Sequence, residues 1–140
     1  MKFPLLVFLS LAIVMGCLSQ YNRGTYDLYL IPQNFEGVIR VIYNVEGAPS
    51  LNREGKFDII PVDEDGMYRT SNPMFDYGTV IDKYYYVDNL GNRTEIDRSC
   101  VNVRGTGGSV INGIETHHTE IEVTRSECGE DFMLEGSALH

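Results

Sequence analysis

The sequence predicts an all-β fold: an antiparallel β-sandwich, immunoglobulin-like or transthyretin-like, in one domain. Three observations lead there. Apolar residues alternate with period two in segment after segment, most clearly in GVIRVIYNV (37–45). Turn signals recur every ~8–12 residues, the spacing of a sandwich or barrel. After residue 17 no apolar stripe of period 3.6 runs for the length of a helix.

The chain opens on a different pattern. Lys2 supplies a positive charge, and Phe3 to Met15 is then apolar apart from Pro4 and Ser10. Such a run is shorter than the roughly 20 residues of a membrane span. It fits the ~7–15-residue apolar region of an export signal. Val14-Met15-Gly16-Cys17 ends it and resembles the lipobox of bacterial lipoproteins. In those proteins the chain is cut before the cysteine and the thiol is acylated. Gly16 and Cys17 fit that pattern, Val14 stands where Leu is usual, and Met15 is bulkier than the usual Ser or Ala. The reading is a signal peptide over 1–16, lipidation at Cys17, a tether over 17–25 and the sandwich domain over 26–140. It places the protein in the bacterial cell envelope, anchored to the membrane through lipid and facing the periplasm or exterior. The alternative is an ordinary signal, or a buried apolar strand, with an incidental cysteine.

From Thr25 onward the elements follow in order. TYDLYLI (25–31) alternates, with Tyr26, Leu28 and Leu30 on one face. Pro32 and Gly37 bracket a turn, and in the next strand Ile39, Val41, Tyr43 and Val45 share a face opposite Arg40 and Asn44. GKFDIIPV (55–62) sets Phe57 with Ile59, and Pro61 moves that strand's end towards an edge. DEDG (63–66) is a turn, and MYRTS (67–71) is a short strand. TVIDKYYYVD (79–88) puts Ile81, Lys83, Tyr85 and Val87 on one face and Asp82, Tyr84 and Tyr86 on the other. Asn89 to Asn92 turn the chain into RTEI (93–96) as a hairpin. RGTGGSVINGIET (104–116) is Gly-rich and reads as a long loop, and HTEIEVTR (118–125) is the last strand. The expected core is Ile39, Val41, Tyr43 and Val45 against Phe57, Ile59, Tyr85, Val87, Ile121 and Val123.

Three segments in this series, IPQNFEGVIRVIYNVEGAP (31–49), IIPVDEDGMYRTSNP (59–73) and KYYYVDNLGNRTEI (83–96), resemble an uncharacterised family of small exported bacterial proteins. Many of its members are lipoproteins. The likeness covers most of residues 28–97 and is looser over 98–140. It implies an envelope location and a small β-rich domain. It implies no catalytic residue.

Charge and cysteines bound the function further. The chain carries a net charge of −9. Without residues 1–16, which hold Lys2 and no acid, 10 basic side chains face 20 acidic ones. That balance argues against nucleic acid, and against a second, electrostatic membrane contact. Three cysteines are an odd number for an exported protein. Lipidation of Cys17 leaves Cys100 and Cys128 to form a disulfide, closing a loop of about 29 residues worth roughly 3.5 kcal/mol. The alternative is two free thiols.

Candidate chemistry is sparse, and no catalytic residue, metal ligand or cofactor is assigned. His118, Glu120 and Glu122 share a strand face, which suits a solvated polar surface better than a metal. Asp63-Glu64-Asp65-Gly66 lacks the ligand spacing of a calcium loop. No G-x-S-x-G elbow occurs, and no Lys follows the glycines of 104–109. Tyrosines are the remaining signal: nine Tyr and no Trp, with Tyr84-Tyr85-Tyr86 in one strand. Tyr84 and Tyr86 are candidate contacts for a sugar or protein partner; ordinary cross-strand packing is the alternative. The function read from this is a non-enzymatic binding or interaction module at the membrane surface. A secreted inhibitor or protective protein, or a small hydrolase using dispersed carboxylates, are the alternatives.

Overall fold

Strand β1 (Asp27–Pro32) lies at the centre of one sheet, and strand β2 (Gly37–Tyr43) lies inside the other. The computed structural model describes residues 26–74 and 81–135. Seven further strands complete the two sheets: β3 (Asn52–Glu54), β4 (Phe57–Pro61), β5 (Met67–Arg69), β6 (Lys83–Val87), β7 (Arg93–Glu95), β8 (Val101–Ile111) and β9 (Ile114–Val123). A five-residue helix, α1 (Glu130–Leu134), follows. The five-stranded sheet runs β3-β4-β1-β6-β7 and the four-stranded sheet β5-β2-β9-β8.

The sandwich stands, but its sheets are mixed rather than antiparallel. β1 is parallel to both its neighbours, β4 and β6, and β2 is parallel to β5. The reason is the path of the chain. It alternates between sheets: β1, then β2 opposite, then β3-β4 back, β5 opposite, β6-β7 back, and β8-β9 opposite. Each return to a sheet passes through a strand of the other sheet, and the strands that then join β1 or β2, namely β4, β5 and β6, point the same way as the strand they join; β3, the first to return, runs antiparallel to β4. A crossover of that kind yields parallel neighbours, as a crossover helix does in other folds.

Between the sheets lie Tyr29, Ile31, Ile60 and Tyr84 from one side and Ile39, Val41, Tyr43, Val101, Ile121 and Val123 from the other. Fully burying an aliphatic chain of this size contributes ~1.5–3 kcal/mol. Ile39, Val41, Tyr43, Ile121 and Val123 are where the alternation predicts them. Val45 lies past the end of β2 and is half-buried. Phe57, Ile59, Tyr85 and Val87 are not in this core. Their immediate neighbours Ile60 and Tyr84 point inward instead, in register with Tyr29, while Leu28 pairs with Ile59 and Leu30 with Tyr85 on the outer face. These strands are apolar on both faces, so period two leaves their inward face unspecified.

One glycine holds the two-sheet geometry closely. Gly66 has φ 77°, and a Cβ there would fall 2.6 Å from the Val38 carbonyl oxygen and 2.7 Å from the Phe35 ring. The DEDG turn it ends is tied by Asp63, whose carboxylate accepts from the amides of Asp65 and Met67 at 2.9 Å.

Candidate interaction surface

Residues 104–116, expected as a loop, form most of a long β-ribbon. β8 and β9 pair from Val101↔Val123 to Ile111↔Ile114. Asn112 (φ 52°) and Gly113 (φ 79°) make the two-residue turn between them. Asn-Gly is the strongest sequence signal for that turn, because both of its central residues need positive φ. The signal was present in VINGIE and was masked by the glycines before it.

One of those glycines has a packing reason. A Cβ on Gly107 would sit 2.6 Å from Cε1 of His118, so the imidazole lies against the bare backbone of the neighbouring strand. The register shifts between Val103 and Gly105, a bulge that brings Arg104 to Glu122 at 2.7 Å. On the same face Arg40 pairs with Glu120. His118, Glu120 and Glu122 do share a face, and each of the two carboxylates there is held by an arginine.

The base of the ribbon is fixed. The Cys100–Cys128 disulfide joins the start of β8 to the segment after β9, with Cα atoms 4.3 Å apart. A 3₁₀ turn, Arg98–Cys100, precedes β8. Asp97 caps it, accepting from the Ser99 amide at 2.9 Å and the Ser99 hydroxyl at 2.6 Å. These bonds hold the Asp97 carboxyl below the usual carboxylate range. Helix α1, too short to show a period in sequence, packs over the start of β8, where Asn102 Nδ2 donates to the Glu135 carbonyl at 2.7 Å. The disulfide therefore pins the foot of a ribbon rather than the ends of a loop.

The far end of the ribbon is free of these ties. β2 ends at Tyr43, opposite His117, so residues 109–116 extend past it. There Val110 is 71% exposed, Ile111 52% and Ile114 39%. β8 is also an edge. The other sheet edges, β3, β5 and β7, are three residues long, whereas β8 has 11. A long edge strand offers unpaired backbone groups to another strand, and proteins normally blunt such edges with charge or proline. Between Gly105 and Ile114 there is neither.

The tyrosines are placed differently from expectation. Tyr84 is 4% exposed and stacks on Tyr29 in the core, which makes it chiefly a packing residue. Burial, and next to it Asp82, push its phenol well above the ordinary tyrosine value. Tyr86 is half-buried against the core and donates its hydroxyl to the Phe35 carbonyl at 2.9 Å. Burial raises its pKa, and the Arg125 guanidinium opposes that shift. Cys17 lies outside the described residues.

A groove of 460 Å³ runs along Asp82, Lys83, Tyr84, Glu95, Ile96, Asp97 and Arg98. Two of its three acids are engaged: Asp82 accepts from the Asp27 amide at 3.0 Å, and Asp97 caps the 3₁₀ turn. Among the described residues no helix is long and apolar enough to cross a membrane.

The model of a family of unknown function, DUF6843, matches residues 23–132. The chain belongs to this family. The DUF6843 domain thus spans both sheets, the ribbon and the disulfide. A crystal structure described as "Putative Lipoprotein from Bacillus anthracis" is similar to it, with a TM-score of 0.78 and 39% identity over 81% of this chain and 80% of that one. No curated protein matches the DUF6843 chain.

Proposed function

We propose that this DUF6843 protein is a lipoprotein of the bacterial cell envelope, tethered through an acylated Cys17, whose sandwich is a non-enzymatic interaction module at the membrane surface. The lipobox-like Val14–Cys17 segment and the 39%-identical neighbour described as a lipoprotein support the anchor. The observation that carries the interaction reading is β8, a long edge that is uncharged from Gly105 onward and that no other described strand covers. An extended segment of a protein partner adds to such an edge through main-chain hydrogen bonds, and side-chain pockets give specificity. A protein suits this surface better than a glycan, because Tyr84 is in the core and the Tyr86 hydroxyl is already bonded. The groove acids fit a hydrolase less well: a general acid needs a raised pKa, and that of Asp97 is lowered. The exposed ribbon tip also suits a secreted inhibitor, the second reading.

Two measurements test this. Metabolic fatty-acid labelling should mark the wild type and spare Cys17→Ala, which should leave the membrane fraction; an unlabelled wild type rejects the anchor. A photo-crosslinking residue at Thr106, in intact cells, should give a discrete adduct that Val103→Lys abolishes without loss of fold. An adduct unaffected by Val103→Lys, or none at all, rejects β8 as the interaction edge. An adduct recovered from the medium rather than the membrane fraction favours the inhibitor.

A further inference from the structure

The start of β1 and the tip of the β8–β9 ribbon lie at the same end of the domain. Only residues 33–36 join β1 to β2, so the two strands run in opposite directions in facing sheets, and the first residue of β1 is level with the last of β2. Tyr43, at that end of β2, lies close enough to Tyr29 to act on its ionisation. The ribbon overshoots Tyr43 in the same direction by about four residues, roughly 14 Å. The chain enters β1 from Cys17 through residues 18–25, and nine residues of backbone span at most ~30 Å. An acyl chain on Cys17 therefore attaches the domain to the bilayer at this end.

The chemistry of that end is distinctive. Gly105 to Ile114 carries no charged side chain and exposes Val110, Ile111 and Ile114. The lysines of the chain are Lys2, Lys56 and Lys83. Lys56 precedes β4 and Lys83 begins β6, and both strands start level with β1. Lys56 Nζ lies 4.6 Å from the centre of the Tyr26 ring and Lys83 Nζ 4.9 Å from that of Phe57. Tyr26 and Phe57 meet edge to face at 5.8 Å. Lysine beside aromatic rings is a composition found at membrane–water interfaces. Asp27, Asp82 and Glu115 are at the same end and limit the attraction to anionic lipid.

We propose that this end of the domain docks on the lipid bilayer itself, with Val110, Ile111 and Ile114 entering the headgroup region. The contact rests on the anchor reading, because a lone tip of three aliphatic side chains needs the tether to raise its local concentration. It fixes the orientation of the sandwich on the membrane and leaves the middle of β8 facing sideways, open to a partner.

The test separates the tip from natural lipidation. The mature chain, with a hexahistidine tag replacing Cys17 and its lipid, is tethered to phosphatidylcholine vesicles containing a nickel-chelating lipid. Val110→Cys carries an environment-sensitive dye; the bonded Cys100 and Cys128 do not react. Tethering should shift the dye emission to the blue and shield it from an aqueous quencher. Ile111→Asp in the same chain should weaken this partition by roughly tenfold, the order expected for losing one buried aliphatic side chain. Added phosphatidylglycerol should not strengthen it, because the acids at this end outnumber its lysines; a partition that requires anionic lipid overturns the proposal. A dye that stays in water on vesicles overturns the proposal. So does a shift that appears only with added envelope protein, which makes the tip a protein contact, or one that depends on protein concentration without vesicles, which makes it a self-contact. Failure of the anchor shows separately, as absence of fatty-acid label on the native chain.

Discussion

Tyr29 and Tyr84 stack across the parallel β1–β6 pair, ring centres 5.2 Å apart and planes 26° from parallel. Tyr29 is fully buried, and its hydroxyl has no hydrogen-bond partner among the described residues. Burying a hydroxyl without a partner costs about 1–3 kcal/mol. Tyr29→Phe keeps the stacked ring and removes that cost. Its denaturant midpoint should therefore equal or exceed that of the wild type, by up to ~1 kcal/mol in stability. A loss of more than that would show that the hydroxyl is satisfied in solution.

The same pair governs behaviour in base. Burial raises both phenols above the ordinary value of 10.0, so the folded chain keeps protons that the unfolded chain has released. With fewer protons on the unfolded state, stability falls as pH rises above about 10. Tyrosinate absorbance from these two residues should appear together with loss of circular dichroism. Tyr29→Phe combined with Tyr84→Phe should move that transition to higher pH.

Val41 is fully buried and Arg40, its neighbour, points to solvent beside Glu120. Val41→Asp places an unpaired carboxylate between the sheets at a cost of several kcal/mol. That is a large part of the ~5–15 kcal/mol that holds a small domain together. The variant should be largely unfolded by circular dichroism at neutral pH. Arg40→Asp should fold and lose only about 1 kcal/mol.

Reduction of Cys100–Cys128 releases the foot of the ribbon. Cys100→Ala with Cys128→Ala should lower stability by about 3.5 kcal/mol, read from urea unfolding. Native, unreduced protein should show no thiol that reacts at either position.

Gly107→Val tests the contact under His118. The added Cβ meets the imidazole edge, so the variant should lose about 1 kcal/mol. His118→Ala in the same chain should restore most of it, and a double-mutant cycle measures the coupling.

How much of this was legible depended on where polar residues fell. β2 carries Arg40 on its outer side, so Ile39, Val41 and Tyr43 could be assigned to the core from sequence. Leu28-Tyr29, Ile59-Ile60 and Tyr84-Tyr85 set apolar residues on both faces, and only packing against the second sheet chose between them. That choice also decided the fate of Tyr84, whose polar tip suggested a surface role. Strand direction was invisible, because it follows from which sheet each connection enters rather than from any residue. The cysteine pair was legible by counting. The ribbon was misread because Gly105, Gly107 and Gly108 imitate a loop, although Asn112-Gly113 marked the turn. The exposed tip and the lysines beside Tyr26 had no signal in sequence, since their meaning lies in sharing one end of the domain.

The parallel placement of β1 sets the order in which the protein can be built. Asp27 meets Asp82, 55 residues further along, and β1 gains its first neighbour, β4, only when Asp58 arrives. A chain that emerges amino end first, from a ribosome or a translocon, presents its central strand before either flank exists. Non-local pairing of this kind slows folding, because the intervening loop must close before any contact rewards it. The apolar residues of β1 stay unpaired until β4 follows, and the disulfide that locks the ribbon cannot form until Cys128 has emerged. Maturation of this domain is therefore an event of the completed chain, and an interruption before residue 57 leaves a sticky strand with nothing to pair with.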